Sequence, residues 1–219
     1  MPKKSKYLII YGTGETALLA YEYFTHDSLY EVVAFTVERK FITKKVIGKF
    51  PVVPFETVTK AYPPGTSDMF VAISYTQLNR LRAKYYHLAK KKKYHLARYV
   101  SSRAFVWDTA RIGDNCFILE NNVIQHGVNI GNDVVLWSGN HIGHRTTIED
   151  HVYISSHCVI SGYCRIGEYA FLGVNSTYND RITVAPNCII GSGAVVIRST
   201  EEGKTYVGNP AKPLEKPKT

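Results

Sequence analysis

The sequence is poor in sulfur and contains no long apolar run: 219 residues hold four Cys and two Met. Four cysteines in a chain of this length do not make a disulfide scaffold. The longest apolar run near the start, Tyr7 to Tyr11, is far too short for a membrane span or a signal peptide. Disorder is excluded as well, because 45% of the residues are hydrophobic and only 21% charged. A soluble, cytoplasmic globular protein of one large or two small domains is the expectation.

Acidic residues are scarce in one half only. Residues 1–100 hold 17 Lys/Arg against 7 Asp/Glu, whereas residues 101–219 hold 10 against 11. All of the excess positive charge, including Lys90 to Lys93, therefore lies in the first half. It reads either as a solvated basic face or as a surface that meets an anion such as a nucleotide. Nucleic acid is disfavoured, since no aromatic-interleaved basic stripe or recognised binding motif accompanies the charge. The asymmetry predicts two domains, 1–100 and 101–219.

The second half is dominated by a repeat. Every sixth residue from Val106 to Val196 is Val, Ile or Leu in fifteen of sixteen cases, Tyr178 being the exception. At an apolar-aliphatic frequency of about a quarter, chance gives roughly four. A period of six fits neither an α-helix nor a hairpin sheet; it fits a chain that turns a corner every six residues. Three sides make a coil of 18, and coils stack at the strand spacing of about 4.8 Å. The aliphatic residue then points inward, and so does the residue four positions later. Cys116, Cys158, Cys164 and Cys188 all fall in that second slot, beside Val134, Thr146, Val152, Ala170, Ser176 and Ala194. A shared packing phase marks the cysteines as small buried hydrophobes rather than as a metal cluster.

These residues carry a resemblance. Ile112-Gly113-Asp114-Asn115-Cys116, Ile130-Gly131-Asn132-Asp133-Val134 and Ile166-Gly167-Glu168-Tyr169-Ala170 resemble the hexapeptide repeats of left-handed β-helix acyltransferases. The closing run Tyr206-Val207-Gly208-Asn209-Pro210-Ala211-Lys212 resembles the ending common in that superfamily. The left hand is implied by the resemblance, not by the period.

In the first half, Lys6 to Tyr11 reads as a strand, followed by Gly12-Thr13-Gly14 and a helix from Glu15 to Phe24. Further strands are expected over Glu31–Phe35 and Met69–Ile73, and a helix over Gln77–Lys91. Strand, glycine turn, helix and strand make a Rossmann-like βαβ unit, whose helix start suits phosphate. The spacing Gly12-x-Gly14-x-x-Ala17, with Glu38 after the second strand, matches a dinucleotide fingerprint. A full dinucleotide domain needs two such halves, so nucleotide binding is the expectation rather than NAD chemistry. Gly12, Thr13, Gly14, Thr36, Glu38, Ser74 and Tyr75 are the candidate nucleotide-side residues.

A short βαβ domain before a hexapeptide β-helix resembles the bacterial nucleotide-linked amino-sugar N-acyltransferases, similar to those that acetylate UDP-4-amino sugars for bacillosamine. Sialic-acid O-acetyltransferases share the architecture. The resemblance implies a homotrimer with acetyl-CoA between neighbouring β-helices, a nucleotide-linked amino sugar on the first domain, and synthesis of a surface glycan as the setting.

Acyl transfer from a thioester to an amine needs a base, oxyanion donors and alignment of both substrates. Five of the eight histidines lie between positions 126 and 157. The repeat phase puts His126 and His144, 18 residues apart, on one outer edge in successive coils. The resemblance, carried by Leu136 through Ile148, implies His144 as general base and Gly162 as the amide that meets the thioester carbonyl. It also puts Tyr153, where the family has a second histidine, and Lys212 on the cofactor side. Where the family commonly has a carboxylate beside the base, this chain has Gly143 and Arg145; Glu149 and Asp150 are the candidates to orient it. The family's Gly-x-x-Gly-His turn reads Gly12-Thr13-Gly14-Glu15-Thr16 in this chain, and Glu15 would repel a phosphate placed at the helix start.

Rival readings are O-acyl transfer, a longer acyl group, a zinc lyase of the γ-carbonic-anhydrase kind, and a non-catalytic trimer. The zinc reading is weakened because no two histidines in the repeat have that family's close four-residue separation.

Overall fold

A computed structural model describes residues 4–214. Two compact units emerge: one holds the chain up to Thr76 together with Leu81–Tyr99, the other Gln77–Arg80 and the chain from Val100.

The first unit is a twisted, mostly parallel sheet with strands β1 (Lys6–Tyr11), β2 (Tyr30–Val37), β3 (Val46–Ile47), β4 (Phe50–Pro54) and β5 (Ser67–Val71), in the order β3-β4-β2-β1-β5. Helix α1 (Glu15–His26) links β1 to its parallel neighbour β2, burying Ala17, Ala20 and Phe24. On the other face of the sheet, Ile9, Tyr11, Val71, Tyr85, Tyr86 and Leu96 form a second buried layer. The sequence carries no signal for the β3–β4 hairpin, because its two short strands show no clear alternation. It places β4 parallel to β2 and widens the sheet by two strands.

The helix expected from Gln77 starts at Arg80. Gln77, Leu78 and Asn79 take left-handed backbone angles (φ 54°, 49° and 65°), which no right-handed helix accommodates. Asn79 is fully buried, its amide donating to the carbonyls of Tyr169 and Ala170 at 3.4 Å.

The second unit is a left-handed parallel β-helix. Its two-residue strands fall on three faces, and neighbours on a face pair in register 18 residues apart, as in Val123↔His141 and Ile130↔Ile148. The first face stacks six strands from Phe105–Val106 to Val195–Val196, and the second stacks five from Arg111–Ile112 to Thr183–Val184. The third contains Phe117–Ile118 to Ile189–Ile190 and closes with Thr205–Val207 and the antiparallel Lys212–Pro213. The six-residue ladder fills the lumen, with Ile118, Ile124, Leu136, Ile142, Ile154 and Ile160 all at zero exposure. Each such burial contributes roughly 1.5–3 kcal/mol. The cysteines occupy the second inward slot, at most 2% exposed, and all are free thiols.

Tyr178, the one break in the aliphatic pattern, does not leave the core. Its ring is fully buried and its hydroxyl is 2.8 Å from Ser176 Oγ. The small Ser176 and Cys158 beside it leave room for the larger side chain. Tyr178→Ala is therefore expected to cost about 3–5 kcal/mol, read by denaturant unfolding.

The corners have their own period of six. From Asn115 to Gly193, every sixth residue is left-handed, with φ between 52° and 79°. Asn, Asp or Gly fills eight of these fourteen positions, the residue types that tolerate this region. Bulky side chains fill the rest, and three of them, Arg145, Tyr163 and Arg181, occupy a single corner in successive coils.

Candidate active site

That corner joins the first face to the second and carries His126, His144 and Gly162 in successive coils. The imidazoles of His126 and His144 stack with centroids 5.5 Å apart and planes 10° from parallel. Tyr163 meets the His144 ring edge-on at 5.0 Å, and the Arg181 guanidinium lies 4.6 Å from the Tyr163 centroid. His144 is thus partly buried, although it sits at an outward corner.

Gly162 closes the other side of the imidazole. A methyl group there would sit 2.5 Å from His144 Cε1 and 2.7 Å from Nε2. Its φ lies outside the left-handed region, so the backbone does not demand glycine; the imidazole does.

The amide of Gly162 also has no hydrogen-bond partner among the described residues. At two other corners a side chain 19 residues earlier covers the corresponding N–H: Gln125 Oε1 accepts from His144 N at 2.8 Å, and Glu149 Oε2 accepts from Glu168 N at 3.0 Å. The residue 19 before Gly162 is Gly143, which has no side chain to offer. A Cβ at Gly143 would come within 2.6 Å of the Gly162 nitrogen. An imidazole and an uncovered N–H consequently lie side by side.

Neither carboxylate expected to orient His144 does so. Glu149 binds Arg165 Nε at 2.6 Å, and Asp150 accepts from the Asn132 backbone at 2.7 Å. The group at the imidazole is Gln125, whose Oε1 is 3.3 Å from Nδ1.

Tyr153, put on the cofactor side by the resemblance, is not brought to the His144 corner within one chain. It lies on the third face, opposite the His144 corner, and is only 6% exposed. The Trp137 indole donates to its hydroxyl and Phe171 stacks on its ring at 5.5 Å. Within one chain it is a packing residue remote from His144. Lys212 is exposed on the terminal antiparallel strand.

In the first unit a cleft of about 530 Å³ opens at the carboxyl ends of β1, β2 and β5, where parallel sheets commonly receive ligands. Gly12, Thr13, Gly14, Glu38 and Ser74 line it, together with Glu15. Gly12 has φ 126°, and a Cβ there would sit 2.8 Å from the Ala72 carbonyl oxygen, so this position requires glycine. Gly14 precedes α1 with no side-chain cap; Ala17 N bonds back to the Gly14 carbonyl at 2.9 Å, while the Glu15 and Thr16 amides at the helix start have no side-chain cap.

Thr36 and Tyr75 do not line the cleft. Thr36 is fully buried and donates to the Val53 carbonyl of β4 at 2.9 Å; Tyr75 is 52% exposed outside it. Tyr11, Lys40, Lys84 and Tyr85, absent from the sequence-based set, line the cleft instead. Tyr11 and Tyr85 stack at 4.3 Å. The Lys40 ammonium, 3.1 Å from Glu38, holds that carboxyl below its usual range and hence ionised at neutral pH. No three His, Cys, Asp or Glu side chains converge as a metal-ligand set among the described residues.

The β-helix matches known families. Residues 109–140 and 128–162 match the bacterial transferase hexapeptide family, and residues 163–198 match the hexapeptide repeat of succinyl-transferase. The acetyltransferase domain of PglB from Neisseria gonorrhoeae is 27% identical with TM-score 0.85, over 96% of this chain and 100% of that one. It is also known in complex with acetyl coenzyme A, a structure that matches at 25% identity over 95% of this chain and 99% of that one, TM-score 0.85. In fold, perosamine N-acetyltransferase from Caulobacter crescentus, in complex with CoA and GDP-perosamine, is also similar: 24% identity, 95% and 97% coverage, TM-score 0.85. Fold and repeats define the class: an acyl-CoA-dependent transferase whose residues 109–198 match hexapeptide-repeat families. Within that class, its α/β unit followed by a left-handed β-helix bears out the resemblance to the bacterial nucleotide-linked amino-sugar N-acyltransferases.

Proposed function

We propose that the protein transfers acetyl from acetyl-CoA to the amino group of a nucleotide-linked amino-deoxy sugar. The observation that carries this reading is the pairing of the His144 imidazole with the uncovered Gly162 amide, on a scaffold shared with acetyltransferases. The amine attacks the thioester carbonyl, and His144 Nε2 takes the proton that the nitrogen must lose. The Gly162 N–H donates to the oxygen as it gains negative charge. Collapse of the tetrahedral intermediate expels CoA as the thiolate, which recovers the proton from the imidazolium.

Direct attack, without an acyl-enzyme, is supported by the cysteines. Burial pushes the Cys158 and Cys164 thiols above their usual range, the opposite of what a nucleophile needs. The nucleotide is assigned to the cleft of the first unit. There Lys40 and Lys84 suit a diphosphate held clear of Glu15, and the ionised Glu38 suits N–H donors of the base. Three copies are proposed to assemble, with acetyl-CoA held between adjacent β-helices.

The choice of acceptor is tested by offering an amino sugar nucleotide and its hydroxyl counterpart with acetyl-CoA. Acetylation of the amine alone is expected. Acetylation of the hydroxyl compound at an equal or greater rate would replace this reading with O-transfer.

A further inference from the structure

We infer that Gln125 is the positioning residue that fixes the tautomer of His144, an assignment that rests on the general-base reading above. Gln125 Oε1 accepts the backbone N–H of His144 at 2.8 Å. A backbone N–H can only donate, so the atom facing it is the amide oxygen and not the nitrogen. That same oxygen lies 3.3 Å from His144 Nδ1. An amide oxygen has no proton to give, so the hydrogen between them belongs to Nδ1, and the neutral imidazole presents an unprotonated Nε2.

Nε2 is the nitrogen that a base requires, and it lies beside Gly162, whose missing side chain admits the ring. The ring has no freedom to flip without losing this bond, because His126 stacks on it and Tyr163 meets its edge. No carboxylate of the described residues hydrogen-bonds it, since Glu149 and Asp150 are held by Arg165 and Asn132. Gln125 sits one coil earlier, immediately before His126, and reaches across the coil spacing to a residue 19 positions on. An amide in this place orients the imidazole but, unlike a carboxylate, adds no charge to stabilise the imidazolium.

That difference supplies the test, made on the intact protein by following CoA release with acetyl-CoA and the accepted amino sugar nucleotide. Gln125→Ala is expected to lower kcat by about 10- to 100-fold with KM within about twofold, as for a misplaced catalytic group. Gln125→Glu is expected to move the acidic limb of kcat/KM to higher pH by on the order of one unit, because a carboxylate stabilises the protonated imidazole. A residue that merely braces the corner would leave that limb in place. Wild-type kcat in Gln125→Ala, or an unmoved limb in Gln125→Glu, overturns the assignment while an inactive His144→Ala leaves the base reading standing. Full activity in His144→Ala would defeat both. Should Gln125→Ala fail to fold in thermal melting, the pH profile of Gln125→Glu decides alone.

Discussion

Replacing His144 with alanine is expected to lower kcat by about 10²- to 10⁴-fold, the range that a general base supplies. The side chain is partly buried at a corner and outside the aliphatic lumen, so the fold does not depend on it. Thermal melting of the variant is therefore expected within a few degrees of wild type, and the KM for acetyl-CoA close to unchanged. His126 provides the control: it shares the edge, stacks on His144 and is exposed. His126→Ala is expected to cost far less, since its neighbour keeps the Gln125 contacts. Equal losses in the two variants would mean that the stacked pair, rather than one imidazole, performs the proton transfer.

Gly162→Ala is expected to lower kcat by about 10²-fold or more through geometry alone. The added methyl would lie 2.5–2.9 Å from three atoms of the His144 ring, so the imidazole must swing away. A displacement of that size at a reacting group typically costs about this much. Because the backbone of Gly162 is outside the left-handed region, alanine adds no conformational strain and folding is expected to survive. Gly143→Ala differs in kind. Its methyl would meet backbone atoms of Ser161 and Gly162 at 2.5–2.6 Å, which cannot move aside without parting two coils. The pair separates a site lesion from a stacking lesion: activity loss at normal melting temperature for the first, lowered melting temperature for the second.

The β-helix was legible because one residue in six does one job along the whole domain, and phase errors would have shown at once. The same phase puts the cysteines inside and His126 one coil from His144 on the same edge. Tyr178 would have seemed an interruption; only the small residues at Cys158 and Ser176 explain how a phenol fits the lumen. The left-handed corners were half-written in Asn and Gly, but Arg145, Tyr163 and Arg181 at equivalent positions carry no such signature.

Contacts between coils were harder. Gln125 meets His144 across 19 residues, a separation that strand phase does not flag, whereas Glu149 and Asp150 were nearer in sequence and bind elsewhere. In the first unit the glycine turn and three strands were readable, but β4 was not. Without β4, the partner of Thr36 was missing, and a residue buried against Val53 was read as lining the cleft. Lys40, Lys84 and Tyr85 come to the cleft from a 3₁₀ turn and a helix whose approach depends on the whole sheet. Tyr153 followed from the resemblance rather than from the repeat, whose phase assigns it to the opposite face.

The most direct test is mass-spectrometric product analysis with acetyl-CoA and a panel of UDP-, dTDP- and GDP-linked amino sugars, wild type beside His144→Ala. Gain of one acetyl group on the amine of one sugar nucleotide, lost in the variant, is the expected result. It would establish reaction, nucleotide and base together. Transfer that persists at the wild-type rate in His144→Ala would contradict the proposed base, and no acetylated amine from any member of the panel would contradict the proposed reaction.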